Sequence, residues 1–375
     1  MFYRLTTDGL SKAVNLQDQW AGPTRTSCWI IGGGPSLNEL PTELIAASPA
    51  PKFAINLSGQ GVLRPTFWTS YDPTVRFQQS LYLDASITKF VHRCRAMDLI
   101  PESSHKVCDA PALYFFDRVP QRGFHDFPGG GSDRATQNQD CPAQTREPTG
   151  VTDWQDSLIQ AIEIAYHLGF RRLFLAGCEM FIPPTALHLR LADSVGVEYR
   201  HQEPLKDFFD RCRQAGLSAE EFDQTDLPGQ YHFAETKPFA AAVQTDYHYF
   251  RVAQYLRLSR RSLALAGLEL VSVTPVSRLN DHFPCCDVET ASQDILSTAG
   301  DPSQERATGR YTRPVRQFAR ELTPMRDFSP HNWSRKTTAA DPAVPAEDVH
   351  HHDKHKARLR AALADLPEVA VRLDG

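Results

Sequence analysis

Residues 28–37 read Cys-Trp-Ile-Ile-Gly-Gly-Gly-Pro-Ser-Leu, and no other stretch constrains this chain as strongly. Trp29, Ile30 and Ile31 form an apolar, partly β-branched run that predicts a buried strand. Three glycines, Gly32, Gly33 and Gly34, follow, and Pro35, Ser36 and Leu37 open a helix start. Glycine lets other groups approach the backbone closely, and a helix N-terminus favours an anion. The loop is therefore a place for a phosphate. It has neither the G-K-[ST] of a Walker phosphate loop nor the third glycine of a dinucleotide fingerprint. A tight turn with no ligand explains the same residues, and both readings stay open on the loop alone.

The rest of the chain decides what surrounds that loop. Its 375 residues allow one large domain or two modest ones. A hydrophobic fraction of 41% supplies ample core, and a net charge of −5 provides no basic field to draw in nucleic acid or an anionic membrane. Eight cysteines occur with no C-x-x-C spacing, which argues against a zinc ribbon or a redox motif and for thiols in a reducing cytoplasm. The first residues lack the apolar core of a signal peptide, and no run of about 18 apolar residues predicts a membrane span.

Taken in order, residues 1–26 form a polar lead-in and 27–181 a nucleotide-binding core. Strands are expected at Trp29–Ile31, Lys52–Asn56, Thr66–Tyr71 and Ile87–Arg93, with a helix over Pro41–Ala47. That alternation predicts an α/β fold with a parallel sheet, whose ligands sit beyond the carboxyl ends of the strands. Gly33, Asn56 and Asp72 fall at three such ends. Residues 117–149 are loop-like and make an insertion. Thr152 and Gln155 have capping-box spacing, and a helix follows to Gly169. Leu173–Ala176 is a central strand with Cys178 and Glu179 at its exit. Glu179 there suits a ribose hydroxyl, a base edge, a metal ion or a cap. Residues 182–242 form an inserted lid carrying His188, His201 and His232, of which His232 is the first choice for a general base. Residues 243–288 supply a closing helix, Asp246–Ala266, and a strand, Leu268–Val273. Residues 289–375 are polar and read as a disordered tail with one late helix at Lys356–Leu366. Four tail histidines (350, 351, 352 and 355) suit an incidental metal ion only.

Three blocks together resemble the bacterial lipooligosaccharide sialyltransferases and the related motility accessory factor-type proteins. They are Ile30–Leu37; Arg146-x-x-Thr149-Gly150-Val151 with its helix, Leu168-Gly169-Phe170 and Leu175–Glu179; and Leu270–Leu279. Their order and spacing agree over residues 27–283. The resemblance implies a Rossmann-like, mostly parallel sheet flanked by helices. It implies a glycosyltransferase that moves a sugar, such as a sialic-acid-like nonulosonate, from a CMP-activated donor to a glycan acceptor hydroxyl. No metal or other cofactor is obligatory in that scheme. Gly32, Gly33, Gly34, Pro35 and Ser36 would lie near the nucleotide with Asn56, Asp72, Thr149, Gly150 and Glu179, and Arg146 would offset phosphate charge. Two departures stand out: Glu179 replaces the family's aspartate, and Phe181 replaces a tyrosine that would support the leaving phosphate. They keep two alternatives open. One is a magnesium-dependent diphosphokinase using ATP, akin to a pterin diphosphokinase branch, with Asp72 and Glu179 beside the metal. The other is a nucleotide-binding protein without catalysis.

Overall fold

A computed structural model describes residues 1–5, 10–21, 26–58, 63–119, 122–129, 150–223, 229–232 and 235–299, with backbone alone at 223, 229–232, 235–237 and 299. All belong to one unit, Met1–Trp333. In chain order the strands are β1 (Phe2–Leu5), β2 (Ser11–Val14), β3 (Ser27–Ile31), β4 (Lys52–Ile55), β5 (Phe67–Thr69), β6 (Thr88–His92) and β7 (Leu113–Phe116). They continue with β8 (Arg118–Val119), β9 (Val151–Thr152), β10 (Arg172–Ala176), β11 (Gly229–His232), β12 (Glu235–Lys237) and β13 (Glu269–Ser272). The helices are α1 (Thr42–Ala47), α2 (Gln79–Leu83), α3 (Ser157–His167), α4 (Ala186–Ser194), α5 (Leu205–Gln214), α6 (Ala219–Asp223), α7 (Phe239–Leu258), α8 (Arg260–Leu265) and α9 (Val288–Ala299).

Nine strands make one sheet in the order β13-β10-β3-β4-β5-β6-β7-β1-β2. Every pairing from β13 to β7 is parallel, and the β1–β2 hairpin joins antiparallel at the β7 edge. The expected Rossmann-like α/β sheet is therefore present. Its strands read as unbroken apolar runs because both faces are covered. Cys28, Ile30, Phe53, Phe67, Phe90 and Leu175 face one side, packed with Ile159 and Ile162 of α3 and Val252 and Leu256 of α7. Trp29, Ile31, Ala54, Trp68, Val91 and Phe174 face the other, with Ile45 of α1, Leu81 of α2 and Ile295 of α9.

Several expectations need correction. The polar lead-in is part of the sheet, to which it adds β1 and β2. The chain 113–116, Leu-Tyr-Phe-Phe, forms a strand that the sequence reading left out. No capping box forms at Thr152–Gln155: Thr152 sits in β9, and Gln155 has a left-handed φ of 52° that no helix start accommodates. Asp156 is the N-cap instead, accepting from the Leu158 and Ile159 amides at 2.9 and 2.9 Å. The helix ends as expected at Gly169, whose φ of 101° suits a residue without Cβ. The closing helix starts earlier than expected and is divided at Ser259 into α7 and α8. The polar tail begins with an ordered helix, α9, that buries Val288, Ala291 and Ile295 in the core. The rest of the tail, with the helix expected at 356–366 and its histidines, lies outside the described residues, as does 130–149 of the insertion.

Residues 182–242 carry a small core of their own, built on Ile182, Phe208, Phe209, Cys212 and Phe222. Asp246, fully buried on α7, joins this region to the main sheet. Its carboxylate accepts from the Ile182 and Leu205 amides at 2.8 and 2.8 Å and pairs with Arg278 at 3.0 Å. Among the described residues, no helix is long and apolar enough to cross a membrane.

Candidate functional site

The strand order reverses at β3. The chain runs outward from β3 to β7, then returns to place β10 on the other side of β3. Ligands of open α/β sheets bind at such a reversal, beyond the carboxyl ends of the strands. A solvent-open cleft lies there. Its walls are Gly32–Gly34 after β3, Ile55 and Asn56 at β4, Asp156–Leu158 at the start of α3, Gly177–Phe181 after β10, and Tyr249 of α7.

The glycine loop is largely saturated by the protein itself. Gly32 N–H donates to the Ala176 carbonyl at 2.7 Å and Gly34 N–H to the Gly177 carbonyl at 2.9 Å. Ser36 N–H donates to Glu179 Oε1 at 2.7 Å, and Leu37 N–H to the Gly34 carbonyl at 3.2 Å. Pro35 has no N–H. Among the described residues, only the Gly33 amide of this loop meets no acceptor. A multi-amide phosphate cradle is therefore absent, because an internal carboxylate already sits at the start of the single turn Pro35–Asn38. Burial pushes the Glu179 carboxyl above the usual range, and the hydrogen bond from the Ser36 amide opposes that shift. The glycines have a packing reason as well. A Cβ on Gly32 would strike the Gly177 carbonyl, and one on Gly34 would strike the Glu179 carboxylate.

Asn56 is held in the left-handed region, at a φ of 51°. Its Oδ1 accepts from Ser70 Oγ and Ser157 Oγ, at 2.7 and 2.7 Å. Each serine hydroxyl already accepts a backbone N–H, from Asp72 at 2.9 Å and from Tyr71 at 3.0 Å, so its own hydrogen is directed to the carboxamide oxygen. These bonds leave Nδ2, which has no acceptor among the described residues, as a donor at the cleft wall. Asp72 is not brought to the cleft. It is ion-paired with Arg76, and its amide donates to Ser70 Oγ at 2.9 Å. Gly150 lies outside the wall too, with its carbonyl accepting from Arg122 Nη2 at 3.0 Å. Arg146 and Thr149 fall outside the described residues. His232 belongs to β11, which packs against the Pro35–Asn38 turn, and only its backbone is described.

Sequence reasoning missed two residues. They are Asp156 and His248 of α7, whose Nε2 lies 3.2 Å from Asp156 Oδ2. An aspartate directly before an apolar helical run is itself an N-cap signal. Nothing in the sequence links it to His248, 92 positions away. Asp156 and Glu179 give the cleft two carboxylates. Burial first, then the charges of Glu179 and Asp156, push the intervening Cys178 thiol well above its ordinary pKa. Among the described residues, no lysine or arginine lines the cleft, and no three His, Cys, Asp or Glu side chains group as metal ligands. Phe181 also lines it, with the Arg278 guanidinium 5.9 Å from its ring.

Comparisons with protein-family models, with curated proteins and with solved structures find no match for this chain.

Proposed function

We propose that the chain is a glycosyltransferase that takes a CMP-activated sugar and moves the sugar to an acceptor hydroxyl. One observation carries this reading. The cleft at the strand-order reversal is lined by two unused donors, Gly33 N–H and Asn56 Nδ2, and by two carboxylates, Asp156 and Glu179, with no described cation. Carboxylates accept from sugar and ribose hydroxyls, and amide donors suit carbonyl or phosphate oxygens. That set fits a hydroxyl-rich donor bearing one phosphate better than a triphosphate, whose charge the described walls do not offset. The three motif blocks support the same class.

The proposed step is a direct displacement. The acceptor oxygen bonds to the anomeric carbon as the bond to the CMP phosphate breaks. The electron pair leaves with CMP, and a protein base takes the acceptor proton. Positioning and charge stabilisation supply most of the rate. The diphosphokinase alternative loses its proposed carboxylate pair, since Asp72 is bound to Arg76 away from the cleft. Phe181 favours the remaining alternative, binding without turnover.

Calorimetry against CMP, CDP, UDP, GDP and ADP, with and without Mg²⁺, tests the proposal. Preferential, metal-independent CMP binding followed by turnover of a CMP-sugar is the expected result. Mg²⁺-dependent adenine binding would move the assignment to a diphosphokinase. CMP binding without turnover of any CMP-sugar would make this a binding protein, and no binding at all would remove the nucleotide reading.

A further inference from the structure

We infer that His248 is the proton acceptor of the cleft and that Asp156 is its positioning residue. The inference rests on the transferase reading for its substrate, but its geometry stands without it. Asp156 is anchored at both oxygens. Oδ1 accepts two amides at the first turn of α3, at 2.9 and 2.9 Å, so the carboxylate cannot rotate freely. Oδ2 then lies 3.2 Å from His248 Nε2. The carboxylate is nearly buried, at 8% side-chain exposure, while the imidazole remains reachable, at 32%.

A carboxylate accepts and does not donate, so the hydrogen of a neutral His248 is assigned to Nε2. Its lone pair is then on Nδ1, which has no hydrogen-bond partner among the described residues. A neutral imidazole whose far nitrogen is held by a fixed carboxylate is the arrangement that general-base catalysis uses. Asp156 lines the cleft, as does Tyr249, the next residue on α7; His248 is not one of the wall residues and meets the site at Asp156, with 32% of its side chain exposed. In the displacement, the acceptor O–H proton passes to Nδ1 as the new O–C bond forms and CMP leaves. The strand of His232 pairs with β12 through a register shift between Gln230 and His232.

Asp156→Asn separates this role from a structural one. Asparagine also caps helices, so α3 keeps its start. Its amide, however, presents a donor to Nε2 and drives the hydrogen onto Nδ1, which removes the base. The first arm needs no ligand. Carbethoxylation by diethyl pyrocarbonate is followed by peptide mass spectrometry, with exposed His105 as the internal reference. His248 should react several-fold more slowly in Asp156→Asn, with His105 unchanged. The second arm measures CMP binding and sugar transfer. His248→Gln should keep CMP affinity and KM while kcat falls about 100-fold or more. Added imidazole should restore part of the activity of His248→Gly.

Equal carbethoxylation in wild type and Asp156→Asn would overturn the inference. So would wild-type turnover by His248→Gln, above all with a loss confined to His232→Gln. Slower carbethoxylation in a protein that binds no CMP would instead retire the transferase reading and leave the activated imidazole standing.

Discussion

Gly34 has no room for a methyl group, because the Glu179 carboxylate fills the space a Cβ would take. The two residues are therefore one device: the glycine admits the carboxylate, and the carboxylate satisfies the Ser36 amide. Glu179→Ala should cost about 1–3 kcal/mol by leaving that amide without an acceptor. Gly34→Ala should cost a similar amount by expelling the same carboxylate. The double variant should cost less than the sum, by about 0.5–3 kcal/mol, since both changes remove one interaction. Urea denaturation of the four proteins measures it, and additive losses would show the residues to be independent. The device also has a pH signature. The folded-state pKa of Glu179 is raised, chiefly by burial. Its contribution is then full below the unfolded carboxylate value, about 4.3, and is lost as pH rises through the raised folded value. Glu179→Gln keeps an acceptor for Ser36 but has no proton to lose. Its stability should fall less than that of wild type across that window; parallel curves would refute the assignment. The sequence showed the glycine triplet plainly as a strand exit. It could not show the partner, which lies 143 residues from Ser36 and obeys no local period.

At the scale of elements, strands were easier to find than the contacts that hold them. β3, β4, β5, β10 and β13 were legible because burial on both faces makes each an apolar run. β1 and β2 were not, since Arg4, Ser11 and Lys12 interrupt them and one edge faces solvent. The 182–242 region was legible as a change of pattern, but its attachment was not. Arg278, read only as part of the closing motif, donates to the carbonyls of Met180, Gln202 and Glu203 at 2.8, 2.9 and 3.1 Å while paired with Asp246. Burial raises the Asp246 pKa and the Arg278 charge opposes the rise. Removing one member of a buried pair leaves the other charge uncompensated. Asp246→Ala should therefore cost about 3–5 kcal/mol. The ends held by Asp246, at Ile182 and Leu205, should open first, so limited proteolysis should cut within 182–223 before the sheet melts. Cleavage that begins elsewhere, or stability unchanged, would show that Arg278 finds enough support in its four backbone carbonyls, that of residue 246 included.

Across the whole molecule, the fold depends on covering both faces of one long sheet, and the second face is completed late in the chain. α9 was hidden by its composition: Ser, Thr, Gln and acidic residues dominate 288–299, and only Val288, Ala291 and Ile295 mark a helical stripe. That stripe is 1% exposed at each position and joins the cluster of Trp29, Ile31, Phe174 and Val271, beneath the strands that carry the cleft. Arg172 of β10 adds an ion pair to Asp294. The face that the helix covers would otherwise be open apolar surface, of the kind that marks an interaction site. Fully burying Val288 and Ile295 is worth about 1.5–3 kcal/mol each, so about 3–6 kcal/mol together. A chain ending at residue 287 should accordingly unfold at a clearly lower urea concentration than one ending at 299, and should expose a surface that binds a hydrophobic dye. The cleft should weaken with it, because Trp29, Ile31 and Phe174 lie on the strands whose ends form the glycine loop and the Glu179 turn. Coincident denaturation midpoints for the two chains would mean that α9 decorates the sheet without supporting it.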